Sequence, residues 1–185
     1  MITLSSELTK EDFYQFSYYT NWSASWNFRK RLIYHAKNII YGGILAFIFF
    51  YLIGWKIHFL SFIAGGIFLL LFNFIILPIW IRHDYRKYVE KFYANPSNSS
   101  FFLKTELVIN EKGILNKDDV STTMHSWPAF VKKAETEGYF YLYLNSQLGL
   151  VIPKRAFTSQ KEKAEFESIL LAHFPLQAEF NNFKR

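Results

Sequence analysis

The sequence predicts an α+β membrane protein: a two-helix transmembrane hairpin joined to a small antiparallel β domain that a C-terminal helix closes. Three observations carry that prediction. Asn38 to Trp55 and Leu60 to Ile81 hold no Asp, Glu, Lys or Arg and are separated only by Lys56-Ile57-His58-Phe59, while a helix needs about 20 residues to cross a hydrocarbon core of roughly 30 Å. Beyond Asn95-Pro96 the apolar period changes to two, the spacing of half-buried strands. Near the end Phe166, Ile169, Leu170, His173 and Phe174 recur at helical spacing and give one apolar face.

Five segments follow in order: an N-terminal strand and interfacial helix (1–37), the hairpin (38–81), a cytoplasmic helix extension (82–96), the β domain with its helix (97–175) and a tail (176–185). Ile2-Thr3-Leu4 suits a short strand, and Thr9 is placed to cap a helix whose first turn carries Glu11 and Asp12, where acids favour the helix dipole. Between Phe13 and Phe28 stand eight aromatic residues, among them Phe16, Tyr19 and Trp22. Such a density suits either the headgroup level of a bilayer or packing against the soluble domain. No cleavable signal peptide is expected, because Met1 to Asp12 is polar and partly acidic.

The hairpin carries its own packing cues. A fold-back near Trp55 to Phe59 sets Gly42-Gly43 at the depth of Leu70-Leu71 and Gly65-Gly66 at that of Phe47-Ile48, so small residues face large ones. Asn73 falls near Ile40 and Tyr41, which makes the Tyr41 hydroxyl a candidate partner for its amide, with self-association through Asn73 as the alternative. Pro78 should kink or loosen the second helix. Arg29-Lys30-Arg31, His35 and Lys37 precede the first run, and Arg82, His83, Arg86, Lys87 and Lys91 follow the second, against Lys56 and His58 in the turn. Cytoplasmic flanks carry the Lys/Arg excess, so both termini are expected in the cytoplasm.

Polar residues from Arg82 continue the second helix until Asn95-Pro96 stops it, with Ser97 to Ser100 as linker. Phe101, Leu103, Leu107 and Ile109 then alternate with Lys104, Glu106 and Asn110, and Asn110-Glu111-Lys112-Gly113 reads as a hairpin turn. Further strands are expected at 114–115, 121–126, 129–135, 139–144 and 148–152. Ser159 and Glu162 form a capping box for the last helix, and Pro175 ends it. A small curved sheet closed by one helix is the outline of pleckstrin-homology-like domains.

The chain also resembles the YcxB-like family of bacterial membrane proteins. The residues that carry the resemblance are Leu107-Val108-Ile109-Asn110-Glu111-Lys112-Gly113-Ile114, Ser126-Trp127, Val151-Ile152-Pro153-Lys154-Arg155-Ala156-Phe157 and the closing helix around Phe166. It implies an N-terminal hairpin, a C-terminal YcxB-like domain and a bacterial inner-membrane location. It brings no activity and no active site to carry over.

Charge and composition exclude several classes. The net charge of +6 is concentrated before residue 97, where ten Lys/Arg face five Asp/Glu; the rest holds eleven against ten. A nearly neutral soluble part is a poor polyanion binder, and no nucleic-acid partner is expected. With no cysteine, disulfides, thiolate nucleophiles and Cys-based metal sites are out. His35, His58, His83, His125 and His173 are scattered without i, i+4 pairs, so neither a metal nor any other cofactor is expected. Asp118-Asp119 falls in a polar turn, where Asp serves local backbone bonding. No convergent acid, base or nucleophile is visible, and the protein is not expected to be an enzyme.

Two surfaces remain as candidate binding sites. Tyr139, Tyr141 and Tyr143 share one face of a strand whose other face is Phe140, Leu142 and Leu144. The tyrosines are either a protein-partner surface, a use that suits tyrosine, or buried beneath the N-terminal segment. Arg29, Lys30, Arg31, Arg82, Arg86 and Lys87 form a basic set that suits anionic lipid headgroups, which attract each basic residue by about 1 kcal/mol. The expected function is a membrane-anchored cytoplasmic protein-interaction module, with neutralisation of a toxin at the membrane, an immunity-type role, as one specific version. The alternative is an anionic-lipid-binding or envelope-stress module. Membrane lipids, a protein partner or self-association are the expected partners; no small-molecule substrate is evident.

Overall fold

The computed structural model of the protein describes residues 1–52 and 59–174. The elements run β1 (Ile2–Glu7), α1 (Lys10–Tyr18), α2 (Phe28–Leu52), α3 (Phe59–Leu71), α4 (Leu77–Ala94), β2 (Lys104–Asn110), β3 (Gly113–Lys117), β4 (Thr122–Ser126), β5 (Lys132–Glu135), β6 (Tyr139–Tyr143), β7 (Gly149–Pro153) and α5 (Gln160–His173). They divide into two compact units: Met1–Thr20 with the chain from Val89 onward, and Asn21–Tyr88. The residues expected as one N-terminal region, 1–37, are thus split between the two units, because β1 and α1 pack with the strands. The turn around Lys56 and His58, Pro175 and the tail lie outside the described residues.

In the first unit β1 to β4 form an antiparallel meander, and β5 to β7 form a second, three-stranded one. The N-terminal strand is longer than Ile2-Thr3-Leu4 suggested. All six of its residues pair with β2, from Ile2 opposite Ile109 to Glu7 opposite Lys104. Its alternation puts Ile2 and Leu4 into a core shared with Leu107, Ile109, Ile114, Trp127, Phe140, Ile152, Phe166 and Leu170. The hairpin turn falls where expected: Asn110 pairs with Gly113 and the Asn110 carboxamide oxygen accepts from the Lys112 amide at 2.8 Å. Only glycine fits at 113, where φ is +149° and an added Cβ would stand 2.1 Å from the His125 carbonyl oxygen. Phe101 and Phe102 belong to a 3₁₀ turn, Pro96–Phe102, so β2 begins later than the alternation suggested.

α5 buries the expected face. Phe166 is fully buried and meets Phe140 edge-on with ring centroids 5.2 Å apart. Ser159 caps it by accepting from the Glu162 amide at 3.2 Å. The Glu162 carboxylate, however, accepts from the Thr158 amide at 2.7 Å instead of closing a box on Ser159. A full capping box appears at α1, where Thr9 and Asp12 serve each other.

The second unit contains the apolar helices up to Tyr88. Ser25–Leu52 and Ile63–Ala94 are each long and apolar enough to cross a membrane. The expected small-residue packing holds at Gly42, where an added Cβ would stand 2.9 Å from Leu69; Gly43, Gly65 and Gly66 have open space around the same position. Asn73 is 1% exposed, yet Tyr41 is not its partner. The amide nitrogen donates to the Leu69 carbonyl, one turn back, at 3.0 Å, and Tyr41 is 60% exposed. The helix is indeed irregular next to Pro78: Phe72–Ile76 is π-helical, as expected where proline lacks the N–H that would bond one turn back.

Candidate functional site

The tyrosine strand β6 is buried on both faces. Phe140 and Leu142 enter the core as expected, but Tyr141 and Tyr143 are each 1% exposed. Phe16 lies 5.5 Å from Tyr141 and 5.8 Å from Tyr143 between ring centroids, and Tyr19 lies 5.2 Å from Tyr141. The Tyr143 hydroxyl and the Thr20 hydroxyl are hydrogen-bonded at 2.9 Å. α1 and the turn after it thus cover Tyr141 and Tyr143, while Tyr139 is half-buried. Burial raises the pKa of both Tyr141 and Tyr143, so they remain phenols.

What holds α1 there is a polar cluster around Asp12, whose side chain is 1% exposed. Its carboxylate accepts two bonds from the Arg155 guanidinium, one from the Tyr139 hydroxyl at 2.9 Å, and bonds from the Thr9 amide and hydroxyl at 2.7 and 2.8 Å. Arg155 also donates to the Glu7 carbonyl at 3.2 Å. Burial pushes the Asp12 carboxyl up, but the bonds from Arg155, Thr9 and Tyr139 outweigh it and hold it below the usual carboxylate range. Burial, with the Asp12 bond and charge, pushes the Tyr139 hydroxyl up to about 12. The hydrogen bond to Asp12 raises Arg155 as well. Every lone pair that matters is occupied, and the cluster works as a lock between β1, α1, β6 and the turn after β7. Sequence reasoning missed it. Asp12 had a local explanation as a first-turn acid, and nothing local links it to Arg155.

The basic set lies wholly within Asn21–Tyr88. Two of its members serve the turns before α2: Lys30 donates to the Asn21 carbonyl at 2.9 Å, and Arg31 donates to the Trp22 carbonyl and to the Ala24 carbonyl, the latter at 2.8 Å. Trp22 lies in the π-helical turn Tyr19–Ser23, and Ala24 is the N-cap of the 3₁₀ turn Ser25–Asn27. Arg29, Arg82, Arg86 and Lys87 are exposed.

Two features of the β domain were not anticipated. A shallow cleft of about 490 Å³ opens between Glu111, Trp127, Pro128, Phe130, His173 and Phe174, with the His173 ring stacked on Trp127 at 4.7 Å. Beside it runs β4, the terminal strand of its sheet, paired within the sheet to β3 alone. Asp118 behaves as the expected turn residue, accepting from the Val120 and Ser121 amides at 2.8 and 2.6 Å. Among the described residues no group of three or more His, Asp or Glu could hold a metal.

Residues 109–170 match the family model described as YcxB-like protein. The similarity covers 62 of the 185 residues. The match begins inside β2 and ends inside α5, so it omits β1 and α1, which complete the sheet and cover β6. Neither a curated protein nor a solved structure matches the chain.

Proposed function

We propose that the protein is a non-enzymatic interaction module anchored in a bacterial inner membrane. Two spans hold a pleckstrin-homology-like domain at the cytoplasmic face, with both termini on that side, and the domain acts by docking a protein partner. The observation that carries this reading is where the hairpin sits in the chain. β1 and β2 are hydrogen-bonded neighbours, yet both apolar helices lie between them in sequence. Both ends of the hairpin must return to the side on which that sheet folds, which requires an even number of crossings. The apolar stretches are 0% and 11% buried, whereas a core helix of a soluble domain would be mostly buried. The Lys/Arg excess on the flanks then favours the cytoplasmic side.

The four-plus-three arrangement of strands with a closing helix supports the pleckstrin-homology-like outline. The Asp12 cluster is fully engaged in fixing α1, so this reading gives it a structural role. Toxin neutralisation is a specific version, and a toxin gene next to this one would favour it. A second reading, recognition of anionic lipid, draws on the exposed Arg29, Arg82, Arg86 and Lys87. Mild solubilisation of the full chain followed by mass spectrometry of what is retained separates the two. A stoichiometric protein, whether another chain or a second copy, is the expected result; retained anionic lipid with a single copy and no other protein overturns docking in favour of lipid.

A further inference from the structure

We propose that the outer edge of β4 is a self-association surface, on which a second copy of this chain adds its own β4 antiparallel about a two-fold axis at Met124. The inference rests on the reading of the protein as an anchored interaction module and names the partner as the chain itself. A strand at a sheet edge presents unpaired N–H and C=O groups, and proteins blunt such edges with charge, proline or cover. Each of the other edges carries some charge or cover. Arg155 donates to the Glu7 carbonyl at the end of β1, β5 carries Lys132, Lys133 and Glu135, and β7 ends in Pro153 beside α1. β4 reads Thr-Thr-Met-His-Ser, with no charge, proline or glycine.

The sequence of that edge is complementary to itself. Placing Met124 on the axis is the register that pairs all five residues: Thr122 faces the second copy's Ser126, Thr123 faces its His125, and Met124 faces Met124. No like charges stand opposite, and hydroxyl–hydroxyl and hydroxyl–imidazole neighbours can bond across the strands. Met124 is 46% exposed, and its thioether adapts to an irregular contact. Beyond the strand the same register carries Val120, 75% exposed, toward the second copy's Pro128 at the rim of the cleft floored by Trp127 and Phe130. The exposed aliphatic group and the open cleft thus lie at opposite ends of one edge, as an isologous contact needs. Confinement of two copies to one bilayer raises their effective concentration.

The chain has no cysteine, so Met124→Cys in the full-length protein supplies its only thiol. On mild oxidation of membranes, Met124→Cys should yield at least about tenfold more disulfide dimer than Ser99→Cys, because the axis holds the two thiols together. In mild detergent, purified Met124→Lys and Met124→Glu should each be monomeric, and mixing them should restore a dimer. Equal crosslinking at both cysteine positions overturns the proposal. So does a dimer that survives both charge variants, which would assign association to the hairpin and leave the anchored-module reading standing. That reading fails separately, if the C-terminus is found outside the cytoplasm.

Discussion

Arg155 and Asp12, 143 positions apart in the chain, meet through two hydrogen bonds from one guanidinium to one carboxylate. The pair joins the turn after β7 to the first turn of α1, the helix that follows β1 in the chain. The carboxylate is buried and the guanidinium about half exposed, so the pair is worth more than a surface ion pair and less than a fully buried one. Asp12→Ala should cost about 2 kcal/mol, since it also leaves Tyr139 and Thr9 without an acceptor. Arg155→Lys keeps the charge but loses the fork, and should cost about 1 kcal/mol. Denaturation of the full chain in detergent, with the double variant completing the cycle, measures the coupling; an additive cycle would leave the lock without energetic meaning.

The same carboxyl sets an acid limit. Its folded pKa is depressed, so the unfolded chain binds the extra proton first. The stability it contributes is present above the ordinary Asp value, about 3.9, and is lost as pH falls through the lower folded value. The denaturation midpoint of the native chain should therefore drop steeply below about pH 4, and Asp12→Asn should flatten that drop.

Of the two alternatives the strand left open, burial is what Tyr141 and Tyr143 adopt. Tyr141→Ala should destabilise the β domain by about 3 to 5 kcal/mol, as for other large buried rings. Tyr143→Phe should cost only about 1 kcal/mol, the worth of its bond to Thr20. A Tyr141→Ala protein with an unchanged melting temperature would mean that α1 does not cover β6.

β1 makes the domain discontinuous. A fragment of residues 97–174 lacks the strand that pairs with six of the seven residues of β2 and should not fold stably. Residues 1–20 joined by a Gly/Ser linker to 89–174 should fold and stay soluble. In that protein Leu4→Ala should cost about 2 to 5 kcal/mol, because Leu4 is 1% exposed. Amide hydrogen exchange of β2 in the two fragments distinguishes the outcomes.

Topology is open to a direct test. A reporter after Arg185 should be cytoplasmic, and a cysteine at Lys56 should react with an impermeant reagent added to intact cells. Labelling at Ser99 from outside would invert the arrangement.

The sequence by itself determined the features that depend on one residue and its near neighbours. The apolar runs announce helices able to cross a membrane, Gly113 and Asn110 make a tight turn, Thr9 and Ser159 start helices, and the spacing of Phe166 and Leu170 selects the buried face of α5. Each is a matter of local backbone geometry or of a period of 2 or 3.6 residues. Only the tertiary structure decided that β1 belongs beside β2, that α1 covers β6, and that Asp12 finds Arg155. Period two places Tyr141 and Tyr143 opposite Phe140 and Leu142, but it cannot say whether a second layer covers the tyrosine face, since both faces of this strand are aromatic or aliphatic. That layer comes from the other end of the chain, across the whole hairpin, and it is held by an ion pair whose two halves each look locally explained.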